Sequence, residues 1–232
     1  MASDTIYIVK PKAAHTHTVI FLHGRDSSCK EFADELFESE ASQPMNQPRT
    51  LLDLFPNIRW SVGSPAEYLE LQHPGLHQSI KKILEVIKKE EMLVPRKRIF
   101  FAEISQGFAT IIATFFADKS KRFSGLIGLC SWMPVTLRNE DYRSFEDTAN
   151  TDGLVKSSYN TPVFLSHSAD DDVVPIKNGR ELRDILQSRQ LQVEWREYED
   201  GGHWVNEPRG VDDIVRFISR HMVGNHSEVP EE

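Results

Sequence analysis

Short apolar runs alternate with longer amphipathic segments along this 232-residue chain, and that alternation restricts the fold more than any other feature. Thr18-Val19-Ile20-Phe21-Leu22, stopped by His23-Gly24, is continuous, β-branched and apolar, as expected of a strand buried on both faces. Arg98 to Ala102, Gly125 to Leu129 and Pro162 to Leu165 have the same character, and Leu191 to Tyr198 alternates like a half-buried strand. Between them, 31–40, 75–91, 106–117, 176–187 and 211–221 carry apolar residues at helical spacing, as in Leu76, Ile80, Ile83, Leu84 and Ile87. Strands alternating with helices imply right-handed βαβ crossovers and a mostly parallel sheet covered by helices on both faces.

Composition narrows the function classes. The apolar fraction is 39% and the charged fraction 27%, which excludes a disordered polymer. No apolar run approaches the roughly 18 residues of a membrane-spanning helix. A net charge of −8 argues against a general nucleic-acid or anionic-membrane binder, because both need a basic face. Cys29 and Cys130 are too few for a disulfide framework, and no Cys/His spacing marks a metal site, so neither metal nor cofactor is expected. Met1 to Thr5 followed by Ile6 to Val9 lacks the shape of a secretory signal, and a cytoplasmic location is the expectation. No composition break divides the chain: 1–224 form one expected domain, and 225–232 an acidic tail.

In a parallel sheet the active site lies beyond the carboxyl ends of the strands. The residues that follow the apolar runs here are His23-Gly24-Arg25-Asp26-Ser27, then Ser105-Gln106-Gly107, then the acidic cluster Asp170-Asp171-Asp172, then Gly202-His203-Trp204. A serine hydroxyl becomes an effective nucleophile when a histidine takes its proton and a carboxylate holds that histidine. Ser105, one of Asp170 to Asp172, and His203 supply the three groups in the chain order Ser, Asp, His that α/β-hydrolases use. Their nucleophile sits on a sharp strand-to-helix turn that aims the next backbone N–H at the developing oxyanion. Gln106 N–H fills that role here, with Arg25 N–H from the first strand-end loop as the second donor. His23 fits a loop-orienting histidine without a catalytic role.

At these residues the chain resembles the phospholipase/carboxylesterase and acyl-protein thioesterase branch of the α/β-hydrolases, especially its fungal members. The resemblance rests on Phe21 to Arg25, Ile104 to Gly107, Leu129 to Pro134, His167 to Pro175 and Gly202 to Trp204. It implies an α/β-hydrolase fold with a sheet of about seven strands. It selects Asp171, four residues before Pro175, as the triad acid, with Ser105 as nucleophile, His203 as base, and Arg25 and Gln106 as the oxyanion hole. It further implies that Trp132, Met133 and Trp204 contact substrate, Trp132 and Met133 from the segment lining the acyl channel. The implied substrate is an acyl ester or thioester, presented by an acylated protein or by an acyl-carrier protein. Release of a polyketide chain from its carrier, as hydrolysis or as lactone closure, is the alternative chemistry.

The chain also departs from the family pattern. Glu103 stands two residues before Ser105, where the family has a small residue, usually Gly; a carboxylate there could loosen the elbow or face His203. That departure motivates a reading from another class, a binding protein on a hydrolase fold with impaired chemistry. Asp26 and Ser168 stand where the family has Gly, and the family's Trp-Phe-Asp region is missing after Trp60, which implies a reduced cap and a more open groove.

Overall fold

The computed structural model describes residues 6–24, 27–63, 73–117, 122–133 and 160–223. Seven strands form one sheet: β1 (Ile6–Val9), β2 (His17–Leu22), β3 (Ile58–Gly63), β4 (Ile99–Ile104), β5 (Gly125–Leu129), β6 (Val163–Ser168) and β7 (Val193–Tyr198). Their order is β1-β3-β2-β4-β5-β6-β7, parallel throughout except for β1, which pairs antiparallel with β3 as an edge strand. The described helices are α1 (Cys29–Leu36), α2 (Leu51–Leu54), α3 (His73–Glu91), α4 (Gln106–Ala117), α5 (Ile176–Ser188) and α6 (Arg209–Val223).

The expected α/β architecture is present, with differences at its margins. The apolar run Ile6 to Val9 becomes the half-buried strand β1, and a one-turn helix, α2, precedes β3. The first helix covers Cys29–Leu36 instead of 31–40. Its start is set by a capping box in which Ser28 Oγ accepts from Glu31 N–H (3.2 Å) and Glu31 Oε2 accepts from Ser28 N–H (3.0 Å). Glu40 has already left the helix and bridges to Thr50.

Buried strands read as continuous apolar runs because each face meets its own helical layer. On one face Val19, Phe21, Phe100 and Ala102 pack with Phe32 and Leu36 of α1 and with Val211, Ile214 and Phe217 of α6. On the other, Ile20, Leu22 and Phe101 pack with Ile83 and Ile87 of α3, Phe108, Ile111 and Phe115 of α4, and Leu182 and Leu186 of α5. The interior strand β5 keeps two glycines for these close approaches. A Cβ at Gly125 would lie 2.7 Å from the Phe217 ring, and one at Gly128 would lie 2.7 Å from the Phe108 ring. Polar ties join the layers at their ends: Arg59 Nε bonds Glu90 Oε2 (3.1 Å), and Tyr198 O–H donates to Asp213 Oδ2 (2.8 Å).

The parallel strands β2, β4, β5, β6 and β7 end on one edge of the sheet. That edge carries Ser105, Cys130, His167, Asp171 and, beyond β7, His203.

Candidate active site

Ser105 joins β4 to α4 with φ at +67°, in the left-handed region that non-glycine residues rarely adopt. Such a conformation costs of order 1–3 kcal/mol and persists only when the surroundings over-determine it. Here Ser105 N–H donates to Leu129 O (2.9 Å), and Ser105 O accepts from Ser131 Oγ (2.7 Å). Both main-chain groups of the turn are therefore tied to the end of β5. The helix begins at once, so the N–H of Gln106, a buried residue, belongs to its first turn, where backbone donors lack intrahelical acceptors. Gly24 borders the serine from β2: a Cβ there would stand 3.4 Å from Ser105 Cβ. His23 is fully buried, its Nδ1–H donates to Gly24 O (2.8 Å) and its ring stacks on Phe32, so it shapes the start of this loop. Burial lowers its pKa and keeps it neutral. Arg25 and Asp26 lie outside the described residues, as do Pro134, the tail 225–232 and the segment 64–72 that bears on the cap.

The carboxylate and the histidine meet directly. His203 Nδ1 lies 2.9 Å from Asp171 Oδ2. The other oxygen of Asp171 accepts from the backbone N–H groups of Val173 (3.0 Å) and Val174 (2.8 Å), so the whole carboxylate is held in the turn after β6. Asp171 is 6% exposed, and its low-dielectric setting strengthens each of these bonds. Of its neighbours in sequence, Asp170 holds the His203 loop by its backbone: its Oδ1 accepts from Gly202 N–H (2.8 Å), next to His203. Asp172 is exposed. Gly201 and Gly202 have φ of +123° and +60°, and a Cβ at Gly201 would meet Ser168 Oγ at 2.8 Å. The glycine pair thus lets the loop turn sharply against β6.

Two residues that motif reasoning passed over also belong to this edge. Cys130, at the end of β5 with φ +48°, is 2% exposed and directs its thiol towards Trp204 O (3.5 Å). Burial, reinforced by the negative charge of Asp171, pushes its pKa up to about 12, so the thiol stays protonated. Cys130, Asp171 and His203 offer ligand atoms within 4.8 Å of one another, the one group among the described residues that could hold a metal ion. His167, at the end of β6, is fully buried with Nε2 3.2 Å from Asp171 Oδ2. The only sequence signal for either was its place inside a motif quoted for its neighbours.

The aromatic and apolar candidates are distributed unevenly. Trp204 is half-buried and meets Phe32 edge-on at 5.5 Å. Trp132 is half-buried, whereas Met133 is fully buried with the core layer of α4. Glu103 points into that same layer. It stands beside Leu22 and Gly128 in register, is 0% exposed, and neither of its carboxylate oxygens has a hydrogen-bond partner, so it makes no bond to His203. Desolvation raises its pKa well above the ordinary carboxylate value, which keeps it protonated and uncharged.

Residues 64–222 match the family model described as Phospholipase/Carboxylesterase. The chain belongs to the phospholipase/carboxylesterase family. Within the family's wider kin it is 30% identical to acyl-protein thioesterase 1 of Yarrowia lipolytica, over 92% of this chain and 96% of that one. It is 26% identical to acyl-protein thioesterase 1 homolog 1 of Dictyostelium discoideum, over 93% and 95%. The fold is shared with the crystal structure of Zea mays acyl-protein thioesterase 2, at TM-score 0.69 and 18% identity, covering 94% of this chain and 98% of that one. The phospholipase/carboxylesterase family match thus spans α3 to α6, and takes in the elbow, the Asp171 turn and the His203 loop.

Proposed function

We propose that this protein cleaves acyl esters or thioesters through an acyl-Ser105 intermediate. Membership in the phospholipase/carboxylesterase family makes it a hydrolase of ester or thioester bonds. The observation that carries the serine mechanism is the positive φ of Ser105 at a strand-to-helix turn, on the sheet edge that also holds the hydrogen-bonded Asp171–His203 pair.

In this reading Ser105 Oγ attacks the acyl carbonyl while His203 Nε2 takes its proton. Asp171 keeps the His203 proton on Nδ1, leaving Nε2 free to accept, and stabilises the imidazolium that forms. The oxyanion is received by Gln106 N–H, with Arg25 N–H as the second donor, a kind of interaction typically contributing about 3 kcal/mol per donor. The imidazolium then protonates the departing alkoxide or thiolate, and water activated by His203 releases the acid and regenerates Ser105. Trp132 and Trp204, both half-buried, contact the acyl chain, whereas Met133 is fully buried in the core layer of α4 and does not reach it.

The names of the curated relatives support an acylated protein as the substrate. Initial rates on an S-acylated peptide, a carrier-bound acyl thioester and a p-nitrophenyl ester, each with native protein and Ser105→Ala, test the assignment. The peptide is expected to be cleaved with the highest kcat/KM, and Ser105→Ala to lose at least about 10³-fold on every substrate. Preference for the carrier thioester would select the polyketide-releasing reading. Failure of the native protein on all three would select a binding protein on a hydrolase fold.

A further inference from the structure

His167 occupies a position that the mechanism above does not use. Its imidazole is 0% exposed at the carboxyl end of β6, four residues before Asp171. Nε2 lies 2.7 Å from Val174 O and 3.2 Å from Asp171 Oδ2. Both neighbours are acceptors, so the proton is on Nε2, and Nδ1 is bare. Nδ1 has no partner. It abuts α5 at Gly179, where an added Cβ would stand 2.4 Å from it. Glycine at 179 is therefore what allows a full imidazole between α5 and the triad acid.

The hydrogen bonds close a ring. His167 Nε2–H donates chiefly to Val174 O, Val174 N–H donates to Asp171 Oδ1 (2.8 Å), and the same imidazole proton faces Asp171 Oδ2. The carboxylate is thus gripped from both oxygens, and Oδ2 is shared between His203 and His167. Burial lowers the pKa of His167 and keeps it neutral, so it offers a donor without adding a charge. Among the described residues, the other charged or titratable groups around the ring are His203, Glu197, which pairs with His167 across to β7 and is tied to Arg180 of α5, Asp170 next to the carboxylate, and Cys130 just past β5.

We propose that His167 is a positioning residue for the Asp171–His203 pair, fixing the carboxylate through Val174 and drawing part of its charge away from His203. This inference rests on the serine-triad reading proposed above. It predicts that losing the His167 donor lets Asp171 turn and concentrates its charge on His203, stabilising the imidazolium. The acid limb of the kcat/KM profile then moves to higher pH.

The test is the pH dependence of ester hydrolysis by His167→Leu, His167→Gln and Gly179→Ala, with Ser105→Ala as the reference for the mechanism. His167→Leu should lower kcat about 10- to 100-fold, the usual worth of a hydrogen bond to a charged group, with KM little changed. Its acid limb should move up by about half a pH unit or more, a response that a merely structural side chain would not give. His167→Gln, whose amide N–H reaches the place of Nε2–H, should restore most of kcat and the native limb. Gly179→Ala, which displaces the imidazole from behind, should move the limb in the same direction as His167→Leu, and it carries the test if the leucine variant fails to fold. A native kcat and acid limb in whichever of those two variants folds would overturn the role of His167. Should Ser105→Ala retain activity, it is the triad reading that fails.

Discussion

Asp171→Asn is expected to lower kcat by about 10⁴, roughly 5.5 kcal/mol of transition-state stabilisation, without unfolding the protein. Asp171 Oδ1 accepts two backbone N–H groups, from Val173 and Val174, so the amide oxygen of an asparagine takes that place. Its NH₂ then stands where Oδ2 faces His203 Nδ1 and His167 Nε2. Facing a donor, His203 turns to the tautomer with a bare Nδ1 and a proton on Nε2, and it can no longer take the proton of Ser105. Substrate binding is untouched, so KM should change little. Circular dichroism and steady-state kinetics on the purified variant check both halves of this expectation. A kcat within about tenfold of native would show that His203 does not depend on Asp171 for its tautomer.

Glu103 gives the second large effect, on stability. A fully buried carboxyl with two unpartnered oxygens costs the folded state about 1–3 kcal/mol even when neutral. Because burial raises its folded pKa far above the ordinary 4.5, folded and unfolded chains bind the proton unequally over a wide pH range. Below about pH 4.5 both forms are protonated and this contribution is fully present. As the pH rises, the unfolded chain releases the proton first, and stability falls by about 1.4 kcal/mol per pH unit until the folded value is passed. Glu103→Leu removes both the unsatisfied group and the pH term. Urea denaturation of the variant should therefore show a gain of at least about 2 kcal/mol at pH 7, smaller at pH 4, and a flatter pH dependence than the native chain. Equal slopes for the two proteins would place the carboxyl in contact with water. Since the side chain enters the α4 layer and not the triad, the expectation that it would face His203 is not met.

The central strands were legible in the sequence because β2, β4, β5 and β6 are buried on both faces and need continuous apolar runs. β1 was not, because a run of only four half-buried residues pairing at an edge is too short to mark a strand by itself. The triad candidates were legible for a topological reason: in a parallel sheet, polar residues directly after apolar runs converge on one edge. The supports of that site were not. His167 faces Asp171 directly, four residues on, but only because the turn through Val173 and Val174 folds the chain back; Asp170 reaches Gly202 across 32 residues, and Ser131 reaches Ser105 from just beyond the neighbouring strand. No strand or helix periodicity encodes those contacts. Glu103 was visible as a departure from pattern, but its direction depends on the register with Leu22 and Gly128, which pairing alone sets.

The central claim is that Ser105 becomes acylated, and the most direct measurement is covalent labelling of the native protein by an alkyl fluorophosphonate, followed by intact mass and peptide mapping. The mechanism predicts one equivalent of label on the peptide carrying Ser105, complete loss of labelling in Ser105→Ala, and labelling slowed in Asp171→Asn in proportion to its kcat. Label on another residue, or undiminished labelling and turnover in Ser105→Ala, would contradict it.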